Sequence, residues 1–102
     1  MTKLDSQPAL KGGLPTVASA AAVTLPSYTD TVIISGTADI TSIVASTAGR
    51  TVVLAFTGIA ATNGVVDGSN LKLAGDFAYS ADDTLQLICD GTNWLEISRS
   101  AN

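Results

Sequence analysis

The sequence predicts an all-β fold of short strands preceded by an extended N-terminal arm, on three observations. Runs rich in β-branched residues recur from Thr31 onward. Turn-forming pairs such as Asn63-Gly64, Asp67-Gly68 and Asp90-Gly91 separate the apolar runs at a spacing of about ten residues. Residues 1–27, in contrast, are punctuated by Pro8, Pro15 and Pro26 and show little amphipathic periodicity.

Residues 1–27 are expected to form the arm. Proline removes a backbone donor and biases the residue before it toward extended conformations, so Leu14 and Leu25 are non-helical. The Ala18 to Ala22 run is too short to nucleate a helix by itself. Residues 28–102 form the structural domain. Thr31-Val32-Ile33-Ile34-Ser35, Ile40-Thr41-Ser42-Ile43-Val44 and Arg50-Thr51-Val52-Val53-Leu54-Ala55-Phe56 read as strands flanked by Gly36 and Gly49. These runs are nearly continuous in apolar or β-branched side chains, which predicts cover on both faces. Leu71-Lys72-Leu73 and Leu85-Gln86-Leu87 alternate in and out, and Asp90 to Asn93 joins the last two strands in a hairpin that ends near Arg99. The likeness of Leu71-Lys72-Leu73, Leu85-Gln86-Leu87 and Ile40-Thr41-Ser42-Ile43 is a quasi-repeat of unequal spacing.

Composition supports burial against other chains. Of 102 residues, 46% are hydrophobic and only 14% are charged, against a usual charged share of about 25%. A domain this small hides only about two-thirds of its unfolded surface, so the excess of apolar strands predicts an oligomer. The net charge of −4 and the scatter of Lys3, Lys11, Arg50, Lys72 and Arg99 argue against nucleic acid and anionic membrane as direct partners. Cys89 is the only cysteine, so a chain forms no internal disulfide and no thiolate cluster, and its apolar setting predicts a buried, inert thiol. The N-terminal residues lack the apolar core of an export signal, and no stretch approaches the ~20 residues of a membrane span.

Side chains suited to catalysis are few. The sequence contains no histidine, the commonest general base. Asp82 and Asp83 are adjacent and in extended structure point to opposite faces. Glu96 shares a strand face with Trp94, a pair that could meet a sugar, although a lone Trp more often anchors a core or interface. Asp67 and Asp90 open glycine turns without the calcium-loop spacing, and Asp83 with Glu96 is the weakest alternative, a carbohydrate-active pair. Arg50 and Arg99 sit at strand ends as exposed gatekeepers against edge pairing, or as partners of Asp76 or Asp83 across a subunit interface. No catalytic residue, metal or cofactor is assigned.

The order Gly49-Arg50 before an apolar strand, Asp67-Gly68-Ser69-Asn70-Leu71-Lys72-Leu73, Asp76-Phe77, Asp83 through Leu87, and Asp90-Gly91-Thr92-Asn93-Trp94-Leu95-Glu96-Ile97-Ser98-Arg99 resembles a module of bacteriophage tail-fibre and other virion proteins. The resemblance covers half to two-thirds of the chain. It implies an interwoven homotrimeric module, β-prism or β-helix-like, without enzymatic activity. The expected function is capsid decoration or cementing, with Leu4, Leu10, Leu14 and Val17 of the arm docking on capsid protein. Val32, Ile34, Ile40, Ile43, Val53, Leu71, Leu73, Leu85, Leu87 and Trp94 are expected at the trimer interface or in the core. The alternative is a short tail-fibre or tail-tip component that binds a host-surface glycan or protein through Trp94, Glu96 and the loops Gly58 to Gly64 and Asp90 to Asn93. Either way the chain is expected in the virion, made in the host cytoplasm without an export signal.

Overall fold

Eight short strands and no helix make up residues 14–102, the part of the chain that the computed structural model describes. They are β1 (Thr16–Ala18), β2 (Ala22–Val23), β3 (Thr31–Ser35), β4 (Ser42–Ile43), β5 (Thr51–Phe56), β6 (Leu71–Lys72), β7 (Thr84–Cys89) and β8 (Trp94–Ser100). The main sheet has the order β1-β3-β5-β7-β8-β6, and β2 and β4 form a second, two-stranded sheet.

The first half of the chain runs as a coil. β1, β3 and β5 lie parallel in the main sheet, with Thr16 beside Ile33 and Thr31 beside Val53. β2 and β4 are parallel in the second sheet, and Ile40 bridges in parallel to Val65. Parallel neighbours need a crossover of a dozen or more residues, commonly a helix; here the crossovers pass through the short strands of the second sheet. The corners stack closely enough that a Cβ on Gly58 would lie 2.1 Å from the carbonyl oxygen of Gly36. Ser19 Oγ accepts the Ala38 N–H at 3.0 Å on the same side. The second half changes direction: β7 is antiparallel to β5, and β8 is antiparallel to β7 through the Asp90–Asn93 turn.

One core lies between the two sheets. Val32 and Ile34 of β3, Val52, Leu54 and Phe56 of β5, Leu85, Leu87 and Cys89 of β7, and Trp94 of β8 point inward and are at most 1% exposed. They cluster with Val23, Leu25, Ile40, Ile43, Val65, Leu71, Phe77 and Tyr79. Phe56 stacks on Tyr79 at 4.3 Å between ring centroids and meets Phe77 edge-on at 5.9 Å. Full burial of each Val, Leu, Ile or Phe contributes about 1.5–3 kcal/mol, so this single layer is the main favourable contribution in a chain with such short strands.

Residues 14–27 do not stand apart from the domain: β1 and β2 join the two sheets, and Val23 and Leu25 enter the core. Leu4 and Leu10 lie outside the described residues, Leu14 is 45% exposed, and Val17 packs half-buried against the core beside Ile34. Val53 faces away from the core, because β5 alternates with Val52, Leu54 and Phe56 inward. Leu73 is only partly buried at the core margin. Finally, cover is one-sided among the described residues: every side chain of the core cluster lies on the inner side, and the opposite face of β3, β5 and β7 is half-buried.

Candidate functional site

Two features merit attention as sites, the acidic turns and the outer face of the main sheet. In the turns, carboxylates hold the chain's own loops. Asp39 accepts from the hydroxyl of Thr62 and from the N–H groups of Asn63 at 3.1 Å and Gly64 at 2.8 Å. The Thr62 hydroxyl, with the Gly64 N–H next, holds its carboxyl below the ordinary value. Asp67 accepts from the Leu73 N–H, while Asp76 accepts from the Asp67 N–H, each at 2.8 Å. Asp90 accepts from Asn93 and Thr92, chiefly the former, and is lowered in the same direction. Thus Asp67 and Asp90 serve as turn residues, as their glycine partners predict. No group of three or more potential metal ligands occurs among the described residues.

The two strand-end arginines are satisfied within the chain. Arg50, with a side chain 12% exposed, is not an exposed gatekeeper. It bonds the carbonyls of Pro26 at 2.5 Å and Thr29 at 2.6 Å, Asp30 at 3.0 Å and Ser46 at 3.3 Å. It thereby ties the loop before β3 to the loop before β5. Arg99 makes two bonds to Glu96, at 2.7 and 2.8 Å, and donates to the carbonyls of Gly75 and Asp76. Its guanidinium also lies 4.9 Å from the centroid of Phe77, a cation–π arrangement. Among the described residues, the ion pairs these arginines make within the chain are with Asp30 and Glu96, not with Asp76 or Asp83.

The pair expected to face a ligand is engaged elsewhere. Trp94 is fully buried, and its indole N–H donates to the carbonyl of Val44 at 3.2 Å. Glu96 does share its strand face, but its carboxylate receives the Arg99 guanidinium and the Ala74 N–H at 2.9 Å. The Arg99 bonds hold the Glu96 carboxyl below its usual range. Asp82 and Asp83 diverge as expected. Asp82 is exposed, whereas Asp83 is buried and accepts from Ser80 and Asn102. Cys89 is 1% exposed; its sulfur accepts from the Ser46 N–H at 3.3 Å.

Sequence reasoning missed Asp39, Asn70 and Tyr79. Asn70 lends its side-chain amide to Ile43 as a strand neighbour would, donating to its carbonyl at 2.5 Å and accepting its N–H at 3.3 Å. Tyr79 buries its ring and donates its hydroxyl to Ala38 at 2.6 Å. Asn63-Gly64 signals a turn, but nothing local to it names a carboxylate so distant in the chain.

The outer face of the main sheet is the second feature. From β1 across to β8, its rows read Thr16, Ile33, Ala55, Thr84, Ser100, then Thr31, Val53, Gln86, Ser98, and then Thr51, Ile88, Leu95. A register shift opposite Gln86 and Leu87 leaves Ile97 as an extra residue on β8. Leu95 is 36% and Ile97 49% exposed. Comparison with family models, characterised proteins and solved structures returns no match.

Proposed function

We propose that the chain is a non-enzymatic structural protein of a bacteriophage virion, a homotrimer that decorates the capsid and docks through the segment ahead of β1. The observation that carries this reading is the use of the acidic side chains. Asp39, Asp67, Asp76, Asp83, Asp90 and Glu96 all accept backbone N–H groups of their own chain. Carboxylates so engaged stiffen turns between short strands and are poorly placed to exchange protons with a substrate. A scaffold stapled in this way suits a subunit whose task is to stay folded while holding neighbours.

The phage context comes from the resemblance of the Gly49-Arg50 strand, the Asp67–Leu73 segment and the terminal Trp94 strand to virion modules. Leu4 and Leu10 supply apolar contacts for docking. A tail-tip role is the second reading, favoured by Ile59, which is 65% exposed on the loop between β5 and Val65. Light scattering on the purified protein tests the oligomer, with a mass about three times the chain's 10.3 kDa expected. Sedimentation with undecorated phage capsids then tests docking. Saturable binding lost on removal of residues 1–13 is the expected result, and binding to host cells without binding to capsids would overturn the decoration reading in favour of the tail tip.

A further inference from the structure

We propose that the outer face of the main sheet is the surface through which copies of this chain associate, with Val53, Ile88, Leu95 and Ile97 at its centre. The proposal deepens the homotrimer reading above and rests on it. Three properties of the face select a second copy as its occupant.

The first is charge. Along β1, β3, β5, β7 and β8 the outward positions include no Asp, Glu, Lys or Arg. The one charge in these rows, Lys72 beside Leu95, stands on the edge strand β6 and bonds the Ser69 carbonyl. The chain as a whole carries −4, so identical copies repel over most approaches and meet here without opposing like charges. A charged macromolecule gains nothing from this face.

The second is hydrogen-bonding character. The polar members of the rows are Thr, Ser and Gln, each both donor and acceptor. Two identical faces therefore satisfy one another, which a face of carboxylates or ammonium groups could not do. The third is shape and apolarity. A sheet face packs on a like face at about 10 Å with interdigitating side chains, and Val53, Ile88, Leu95 and Ile97 supply the apolar contact. Exposure alternates from Leu14 through Ala18, so Leu14, 45% exposed, extends the patch beside Thr16. Three such faces turned toward a common axis enclose a second core between subunits. This explains why β3 and β5 carry β-branched residues such as Ile33 and Val53 on the outer side as well, although one chain covers only the inner one.

The test is the mass of Leu95→Glu/Ile97→Glu by light scattering beside wild type. Both positions are partly exposed, so the monomer's own core is untouched, and an unchanged circular dichroism spectrum with an unchanged Trp94 emission maximum verifies that it folds. The expected result is a wild-type oligomer and a variant of single-chain mass. The uncharged pair Leu95→Ser/Ile97→Ser is expected to dissociate at a protein concentration at least about tenfold higher than wild type. Ile59→Glu, off the sheet, is expected to keep the wild-type mass. A wild-type oligomer that both double variants preserve would overturn the assignment of this face and leave the homotrimer reading standing; a wild-type monomer would overturn both.

Discussion

Trp94 donates its indole N–H to the main-chain carbonyl of Val44, a residue 50 positions earlier in the chain. The bond joins the first residue of β8 to the segment just after β4, so the two sheets are clasped by the same side chain that fills the core between them. Trp is the core residue whose apolar body carries a donor.

Trp94→Phe therefore removes the partner of the Val44 carbonyl and leaves a small cavity. A loss of about 1 kcal/mol is expected for the missing hydrogen bond alone, and Trp94→Ala, with the larger void, is expected to cost about 3–5 kcal/mol. Urea unfolding followed by circular dichroism measures both. Equal, sub-kilocalorie losses would show that the indole is not the clasp described.

Arg50 is a second clasp, and the geometry separates its hydrogen bonds from its ion pair. Asp30, its acidic partner, has a side chain 68% exposed, and exposed pairs contribute little. Asp30→Asn is expected to shift the unfolding midpoint hardly at all. Arg50→Ala, which orphans the Pro26 and Thr29 carbonyls, is expected to cost about 2 kcal/mol. Arg50→Lys restores little of this, because an ammonium lacks the planar fork that reaches several acceptors at once. If Asp30→Asn and Arg50→Ala were equally damaging, the ion pair would be the dominant contribution instead.

Gly64 is required for space as well as for its φ of 79°. A Cβ there would lie 2.0 Å from the carbonyl oxygen of Phe77, a backbone atom held in the Val65–Phe77 bridge. Gly49, at φ 94°, has open space around its Cβ direction. Gly49→Ala is expected to cost about 1 kcal/mol, the usual penalty of a left-handed conformation, whereas Gly64→Ala is expected to abolish the cooperative thermal transition. Similar melting curves for the two would refute the close approach.

Much of this architecture is legible in the chain, but the inward side of each strand is not equally so. Thr31–Ser35 and the Trp94 hairpin announce themselves through β-branched residues and the Asp90-Gly91 turn. In β5, Thr-Val-Val-Leu-Ala-Phe is apolar at both parities, and a one-residue difference in register exchanges the faces; hence nothing local tells Val53, on the outer face, from Val52 and Leu54 in the core. β1 and β2 are built from Thr, Ala, Val and little else, so they pair by backbone with partners whose own apolar content supplies the driving force. Trp94 was legible as an anchor and Glu96 as its neighbour on the face. The Arg99 bond that occupies Glu96 arises from the β-bulge at Ile97, which places the two on the same side three residues apart, where a regular strand would put them on opposite faces.

That bond predicts a specific acid response. Arg99, chiefly through its hydrogen bonds, lowers the Glu96 carboxyl below its ordinary value of 4.5 in the folded protein. A carboxyl lowered on folding stabilises the native state fully above the unfolded value, and that stabilisation is lost as pH falls through 4.5 toward the lower folded value. Protonated Glu96 would also release the guanidinium that holds the Gly75 and Asp76 carbonyls, so the Asp67–Phe77 loop is expected to loosen first. Thermal midpoints measured from about pH 7 to about pH 3 should therefore fall more steeply in wild type than in Glu96→Gln. The variant starts lower at neutral pH and the two curves converge in acid. Asp39 and Asp90 are lowered too, but they lie in exposed turns and remain in both proteins, so their contribution cancels in the comparison. Parallel curves would mean that the Glu96–Arg99 pair contributes nothing to folding and that the bulge at Ile97 is held by the β7–β8 ladder alone.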